Sequence, residues 1–161
     1  MILLPLNDKT PISPKVPHFC PLYELPNASA LSSINGISYL EQISVISSHI
    51  KAAIKDGGQF AYGSLKSVQA PFVQPVILVD VPESSAAVRE ETFGPITVVV
   101  RVKSAEEAIS VANDSEYGLA SSIWTKDVGK ALEISKKIQA GVTWVNDHLP
   151  IISEGPHGGV K

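Results

Sequence analysis

Ile96-Thr-Val-Val-Val-Arg-Val102, Ser104-Ala-Glu-Glu107, Leu119-Ala-Ser-Ser-Ile-Trp-Thr125, Asp127 and Val142-Thr-Trp-Val145 form the stretch that decides the fold. Ile96, Val98, Val100 and Val102 alternate onto one face, and Val99 adds an apolar residue to the other. A strand over 96–102 with both faces partly covered is expected. Ser104 followed three residues later by Glu107 is a capping box, in which the hydroxyl accepts from the N3 amide and the carboxylate reaches back. The helix it opens runs to about Asn113, with Ala105, Ala108, Ile109 and Ala112 inward. Residues 119–125 read as a short strand. Asp127 caps a further helix burying Val128, Ala131, Leu132 and Ile138. Lys136 and Lys137 oppose the negative end of its dipole, Gly141 stops it, and residues 142–145 are the last strand. The order β–α–β–α–β with short connections predicts an α/β fold, a parallel sheet with flanking helices.

Upstream, Leu40, Ile43, Ile46, Ile50, Ala53 and Ile54 recur at steps of three and four, predicting an amphipathic helix over 38–56 that Gly57-Gly58 ends. Residues 72–81 are an apolar, β-branched run in which Pro75 either marks an edge strand or confines the regular part to Val76–Val81. Six of the 12 prolines lie in the first 26 residues, among them Pro17 and Pro21. Proline fixes φ and removes a backbone donor, so an extended arm is expected here, with a boundary near Asn35-Gly36. Two regions are therefore expected, an arm over 1–36 and a folded portion over 37–161.

The whole has 161 residues, 44% hydrophobic and 18% charged, enough to bury a core. A net charge of −3 argues against a nucleic-acid partner. No apolar run has the length of a membrane helix, and the start lacks the basic and apolar regions of a signal peptide, so a cytoplasmic protein with no membrane partner is expected. One Cys excludes an intramolecular disulfide and a Cys-based zinc site.

In a parallel α/β sheet, ligands bind beyond the carboxyl ends of the strands. Two segments invite chemistry there. Arg89-Glu-Glu-Thr-Phe-Gly-Pro95 sets paired carboxylates beside an aromatic ring. A carboxylate accepts from two neighbouring sugar hydroxyls, and the ring can cover a flat ligand. The plain alternative is a polar turn leading into the next strand. The second segment, residues 145–159, carries Asp147, His148, Glu154 and His157 after a strand, with an ordinary long loop as its alternative. His148 and His157 are nine residues apart, without helical placement, so no metal site is expected. Cys20, in Pro17-His-Phe-Cys-Pro21, reads as a passive thiol. There is no Gly-rich phosphate cradle and no Gly-x-Ser-x-Gly elbow.

Glu90-Glu-Thr-Phe-Gly-Pro95, Ala112-Asn113 with Tyr117-Gly-Leu-Ala120, Gly141-Val-Thr-Trp-Val-Asn146 and Pro156-His-Gly-Gly-Val-Lys161 together resemble the C-terminal part of NAD(P)-dependent aldehyde dehydrogenases. The resemblance covers about residues 37–161. It implies NAD or NADP as cofactor, with Glu91 holding the nicotinamide ribose and Phe93 packing beside the nicotinamide. It places Leu149, Ile151 and His157 on the aldehyde tunnel. Ser-Glu-x-Pro-His-Gly-Gly resembles the aminoaldehyde branch (aminobutyraldehyde and betaine-aldehyde enzymes), while Val-Pro-Glu-Ser-Ser-Ala-Ala-Val-Arg-Glu-Glu resembles other branches, semialdehyde enzymes included.

The family mechanism needs a Cys thiolate to attack the aldehyde and a Glu to activate water. Those groups precede everything matched here. Cys20 lacks the family's Gly-Gln-x-Cys setting, so no catalytic residue is assigned. The first expectation is a truncated aldehyde dehydrogenase, inactive alone, whose complete form oxidises a small aldehyde. The second is a non-catalytic module that binds a full-length homologue or another partner through apolar surface a missing domain would cover, and a homo-oligomer or association with a homologous chain is expected. The third is a minimal enzyme using Cys20.

Overall fold

A computed structural model describes residues 40–161. The arm over 1–36, the Asn35-Gly36 boundary and Cys20 lie outside the described residues. The chain divides into two compact units, which among the described residues are 40–98 and 99–161.

The first unit opens with α1, Leu40–Lys55, whose buried face is Ile43, Ile46, His49, Ile50 and Ala53. The helix ends as its sequence implies. Gly57 takes φ +102, and the Gly58 amide donates to the Ala53 carbonyl at 2.9 Å. Leu40, expected inward, is exposed at the first turn, and the buried face begins at Ile43. After α1 come β1 (Gln59–Tyr62), a 3₁₀ turn at Leu65–Ser67, the short hairpin β2 (Val68–Gln69) and β3 (Phe72–Val73), and β4 (Val76–Val79). Pro75 cuts the 72–81 run into β3 and β4, as one alternative allows. The other fails. β4 is the middle strand of a three-stranded sheet, antiparallel to β1 on one side and beside β5 (Ile96–Val99) on the other. The one-turn α2, Ala86–Arg89, lies between β4 and β5. Val73, Val76, Leu78 and Val81 close the core against α1, with Ile96 and Val98 packed on its margin.

The second unit contains α3 (Ala105–Asn113), β6 (Ala120–Ile123), α4 (Val128–Ser135) and β7 (Val142–Val145). The strands β6 and β7 pair in parallel, with Ile123 beside Val145. This is the βαβ unit that the sequence order predicts. Both caps form. The Ser104 hydroxyl accepts from the Glu107 amide at 3.1 Å, and Asp127 accepts from the Lys130 amide at 2.9 Å. Glu107 reaches one residue past the expected amide, taking the Lys103 N–H at 2.6 Å. Ala105, Ile123, Ala131 and Ile134 make the core, with Ile109, Ile138 and Val145 on its margin.

The architecture is α/β, with three corrections. The strand predicted over 96–102 is regular only to Val99, and β5 joins β4 rather than β6 and β7. Alternation shows how many faces of a strand are covered, and says nothing of which strand lies beside it. Here Val76 N–H donates to the Pro95 carbonyl at 2.8 Å, seating the entry of β5 against β4. Second, Val128 and Leu132 are exposed and Ile134 is buried, because α4 turns its Ala131–Ile134 side to the sheet. Third, α4 ends at Ser135, six residues before Gly141, so the glycine begins the approach to β7.

Candidate functional site

Glu90 through Gly94 follow α2 and lead into β5. The segment has no regular structure of its own and is held by one face of α1. His49 Nδ1 lies 2.5 Å from Thr92 Oγ1, and His49 Nε2 lies 3.3 Å from Glu90 Oε2. Gln42 Nε2 donates to the Phe93 carbonyl at 2.8 Å. Gly94 sits so close to α1 that an added Cβ would come within 2.5 Å of Ile46 Cδ1. Residues 42, 46 and 49 share one side of the helix, at steps of four and three.

On this braced segment Glu91 and Phe93 are both exposed, Phe93 to 69%. A carboxylate and an open aromatic face therefore stand two residues apart on the surface. Of the two carboxylates, Glu90 is the one that reaches His49, at 3.3 Å. His49, Gln42 and Thr92 are the residues that sequence reasoning missed. The available signal was a histidine on the apolar face of an amphipathic helix, three residues after Ile46.

In the other unit, the loop after β7 is pinned at its start. Asn146 takes φ +53 and brackets Thr125 with both ends of its amide. Trp144 is nearly buried and donates from Nε1 to the Pro150 carbonyl at 3.0 Å. Its ring meets that of His148 edge-on, centroids 5.6 Å apart. His148 Nδ1 lies 2.9 Å from Ser122 Oγ. His148 is thus a brace of the loop, tied to β6 and β7. Leu149, between the two fixed points, takes φ +71 and is 62% exposed. Ile151 is 64% exposed, and Ile152, Glu154 and His157 are exposed as well. Among the described residues no group of three or more His, Cys, Asp or Glu is arranged to hold a metal ion.

The remaining motif residues bind backbone. Asn113 donates from Nδ2 to the Lys137 carbonyl and accepts the Gln139 amide, both at 2.8 Å, joining the end of α3 to the segment after α4. Lys161 Nζ donates to the Asn113 and Ser115 carbonyls, each at 2.7 Å, at the C-terminal end of α3 where a cation is favoured. Val160 N–H donates to the Gly118 carbonyl, so the Gly158-Gly159-Val160-Lys161 segment is laid along the Asn113–Gly118 turn.

Glu91 and Phe93 belong to the unit of residues 40–98, and Leu149, Ile151 and His157 to that of residues 99–161. Glu91 and Phe93 lie on the segment braced by α1, and Leu149, Ile151 and His157 on the loop after β7.

Comparison with known proteins gives these segments their context. The sequence model of the aldehyde dehydrogenase family matches residues 34–161. Glutarate-semialdehyde dehydrogenase of Pseudomonas putida is 34% identical over 119 residues, 74% of this chain and 25% of that enzyme. Succinic semialdehyde dehydrogenase from Streptococcus pyogenes, solved in complex with NADP+ as the cofactor, superposes with a TM-score of 0.72 at 32% identity, over 78% of this chain and 28% of that one. The NAD+ complex of an aldehyde dehydrogenase from Bacillus cereus gives a TM-score of 0.71 at 34% identity, over 76% of this chain and 25% of that one. The chain thus spans about a quarter of the length of these relatives. Homologues of this fold bind NAD+ or NADP+. With four motifs in order, a family match over most of the sequence and a superposable α/β fold, this chain belongs to the aldehyde dehydrogenase family.

Proposed function

We propose that residues 37–161 supply the nicotinamide-ribose contact and part of the aldehyde tunnel of an NAD(P)-dependent aldehyde dehydrogenase catalytic domain. The observation carrying this is the braced Glu90–Gly94 segment, which exposes Glu91 and Phe93 together. Those residues fit one end of the cofactor. A carboxylate pairs with the two ribose hydroxyls, and an aromatic face covers a flat ring. The chain has no Gly-rich cradle for the pyrophosphate, so the rest of the cofactor needs other protein. NAD(P)+, when bound, accepts hydride from the aldehyde carbon. Leu149, Ile151 and His157 line the aldehyde side. Glu154 adds a carboxylate to the same loop, which favours a small amine-bearing aldehyde such as an aminobutyraldehyde.

The 161 residues by themselves carry no thiol in the family's nucleophile setting, so they do not oxidise aldehydes. Incubating the purified chain with NAD+ or NADP+ and aminobutyraldehyde gives no absorbance at 340 nm. Saturation-transfer NMR shows NADH nicotinamide-ribose protons touching the chain, and Glu91→Gln weakens that contact. Turnover that survives Cys20→Ala, or a contact indifferent to Glu91→Gln, overturns this reading.

A second reading has its own observation. Leu149, Ile151, Ile152 and Val160 are all exposed on one C-terminal stretch, and such apolar surface favours association. A homologous chain or a second copy is the partner this reading names. Sedimentation of the chain alone and mixed with a full-length homologue distinguishes the two, since a persistent lone monomer in both samples excludes association.

A further inference from the structure

We propose that His49 is the positioning residue of the Glu91–Phe93 arm, with Gln42 and Ile46 as its supports, an inference that rests on the ribose reading above. One imidazole contacts both chain neighbours of Glu91, reaching Glu90 Oε2 at 3.3 Å and Thr92 Oγ1 at 2.5 Å. An ionised carboxylate only accepts hydrogen bonds. Nε2 therefore carries the hydrogen that goes to Glu90, and in the neutral ring Nδ1 accepts from the Thr92 hydroxyl. The result is a directed chain from Thr92 O–H through His49 to Glu90. Gln42 adds the Phe93 carbonyl at 2.8 Å, and Ile46 lies under Gly94. Glu90, Thr92, Phe93 and Gly94 are thus all touched by one helix face. A segment held in place before its ligand arrives loses less freedom on binding.

His49 is not explained by core volume. It is 6% exposed among Ile43, Ile46, Ile50 and Ala53, where an aliphatic side chain would fill the space without polar atoms to satisfy. Its partners Thr92 and Glu90 lie toward solvent and can turn to water when the ring is removed. His49→Leu therefore leaves the core intact while releasing the arm, which separates positioning from packing.

The test uses ¹⁵N relaxation of the whole 161-residue chain. In the native sequence, amides 90–93 have order parameters near the rigid value of about 0.85. In His49→Leu and in Thr92→Val they fall below about 0.6, with the unfolding midpoint unchanged. His49→Gln, which keeps one donor and one acceptor, restores them in part. The ¹⁵N shifts of His49 report the Nε2–H tautomer. Unchanged order parameters in both variants, a loss spread evenly over the unit, or an Nδ1–H tautomer overturns the proposal. Should His49→Leu not fold, Thr92→Val and Gln42→Ala carry the same readout from the solvent side. A native chain that gives no NADH contact overturns the ribose reading, and the relaxation data still decide the positioning role.

Discussion

The side-chain amide of Asn146 closes on the backbone of Thr125 at both ends, accepting the Thr125 N–H at 2.8 Å and donating to the Thr125 carbonyl at 2.9 Å. Asn146 does this from φ +53, a left-handed conformation that asparagine tolerates better than other side-chain-bearing residues. One residue thus ends β7, turns the chain into the loop and ties it to the end of β6. Asn146→Ala loses both bonds and keeps the backbone cost, so it destabilises by about 1–3 kcal/mol. Asn146→Gly loses the bonds but not the conformation and falls between the two. Denaturant unfolding of the three proteins gives this ranking, and an alanine variant as stable as the native sequence contradicts it.

Gly141 leaves no room for a side chain. A Cβ there would run into the backbone carbonyl of Gly158, and backbone cannot swing aside as a side chain does. Gly141→Ala should push residues 156–161 off the Asn113–Gly118 turn and cost about 1–3 kcal/mol. Its sign in limited proteolysis is new cleavage near residue 158, without new cleavage in the 40–98 unit.

Leu149 holds φ +71 with its side chain largely in solvent. Glycine at this position removes a backbone cost of about 1–2 kcal/mol and adds unfolded-state entropy of similar size. Leu149→Gly is therefore close to neutral, whereas β-branched Leu149→Val is destabilising. Thermal melts of the two variants, read side by side, check the order.

Glu106, in the first turn of α3, has its carboxyl held below its ordinary pKa, chiefly by its own backbone amide and then by the Ser104 hydroxyl. A folded-state pKa below the unfolded one stabilises above the unfolded pKa, and that contribution is lost as pH falls through the folded value. The chain should lose stability on the acid side of the carboxylate range, and Glu106→Gln should flatten that part of the profile. An acid limb that is the same in both proteins removes the assignment.

Much of the second unit was legible because its signals are local. Ser104 and Asp127 cap the helices they precede, and β7 spans the residues its apolar pattern predicts. A cap needs only the three residues after it. The facing of α4 was not legible. Val128, Leu132, Ala131 and Ile134 all suit a buried stripe, and the sheet they meet decides which pair is covered. In the first unit, β1 and the β2–β3 hairpin carry too few residues for a period to show.

Glu91 and Phe93 could be named as candidates from the motif around them, and Leu149, Ile151 and His157 only through the family resemblance. His49 could not, because its partners lie 41 and 43 residues away along the chain.

The caps, the turns and the family motifs are properties of neighbouring residues, and the sequence determined them unaided. The partner of β5 and the bracing of Glu90–Gly94 by α1 were decided only in three dimensions. A strand's alternation shows that its faces are covered and a helix's period shows that one side is buried. What does the covering is set by contacts between distant segments, for which no local pattern is written.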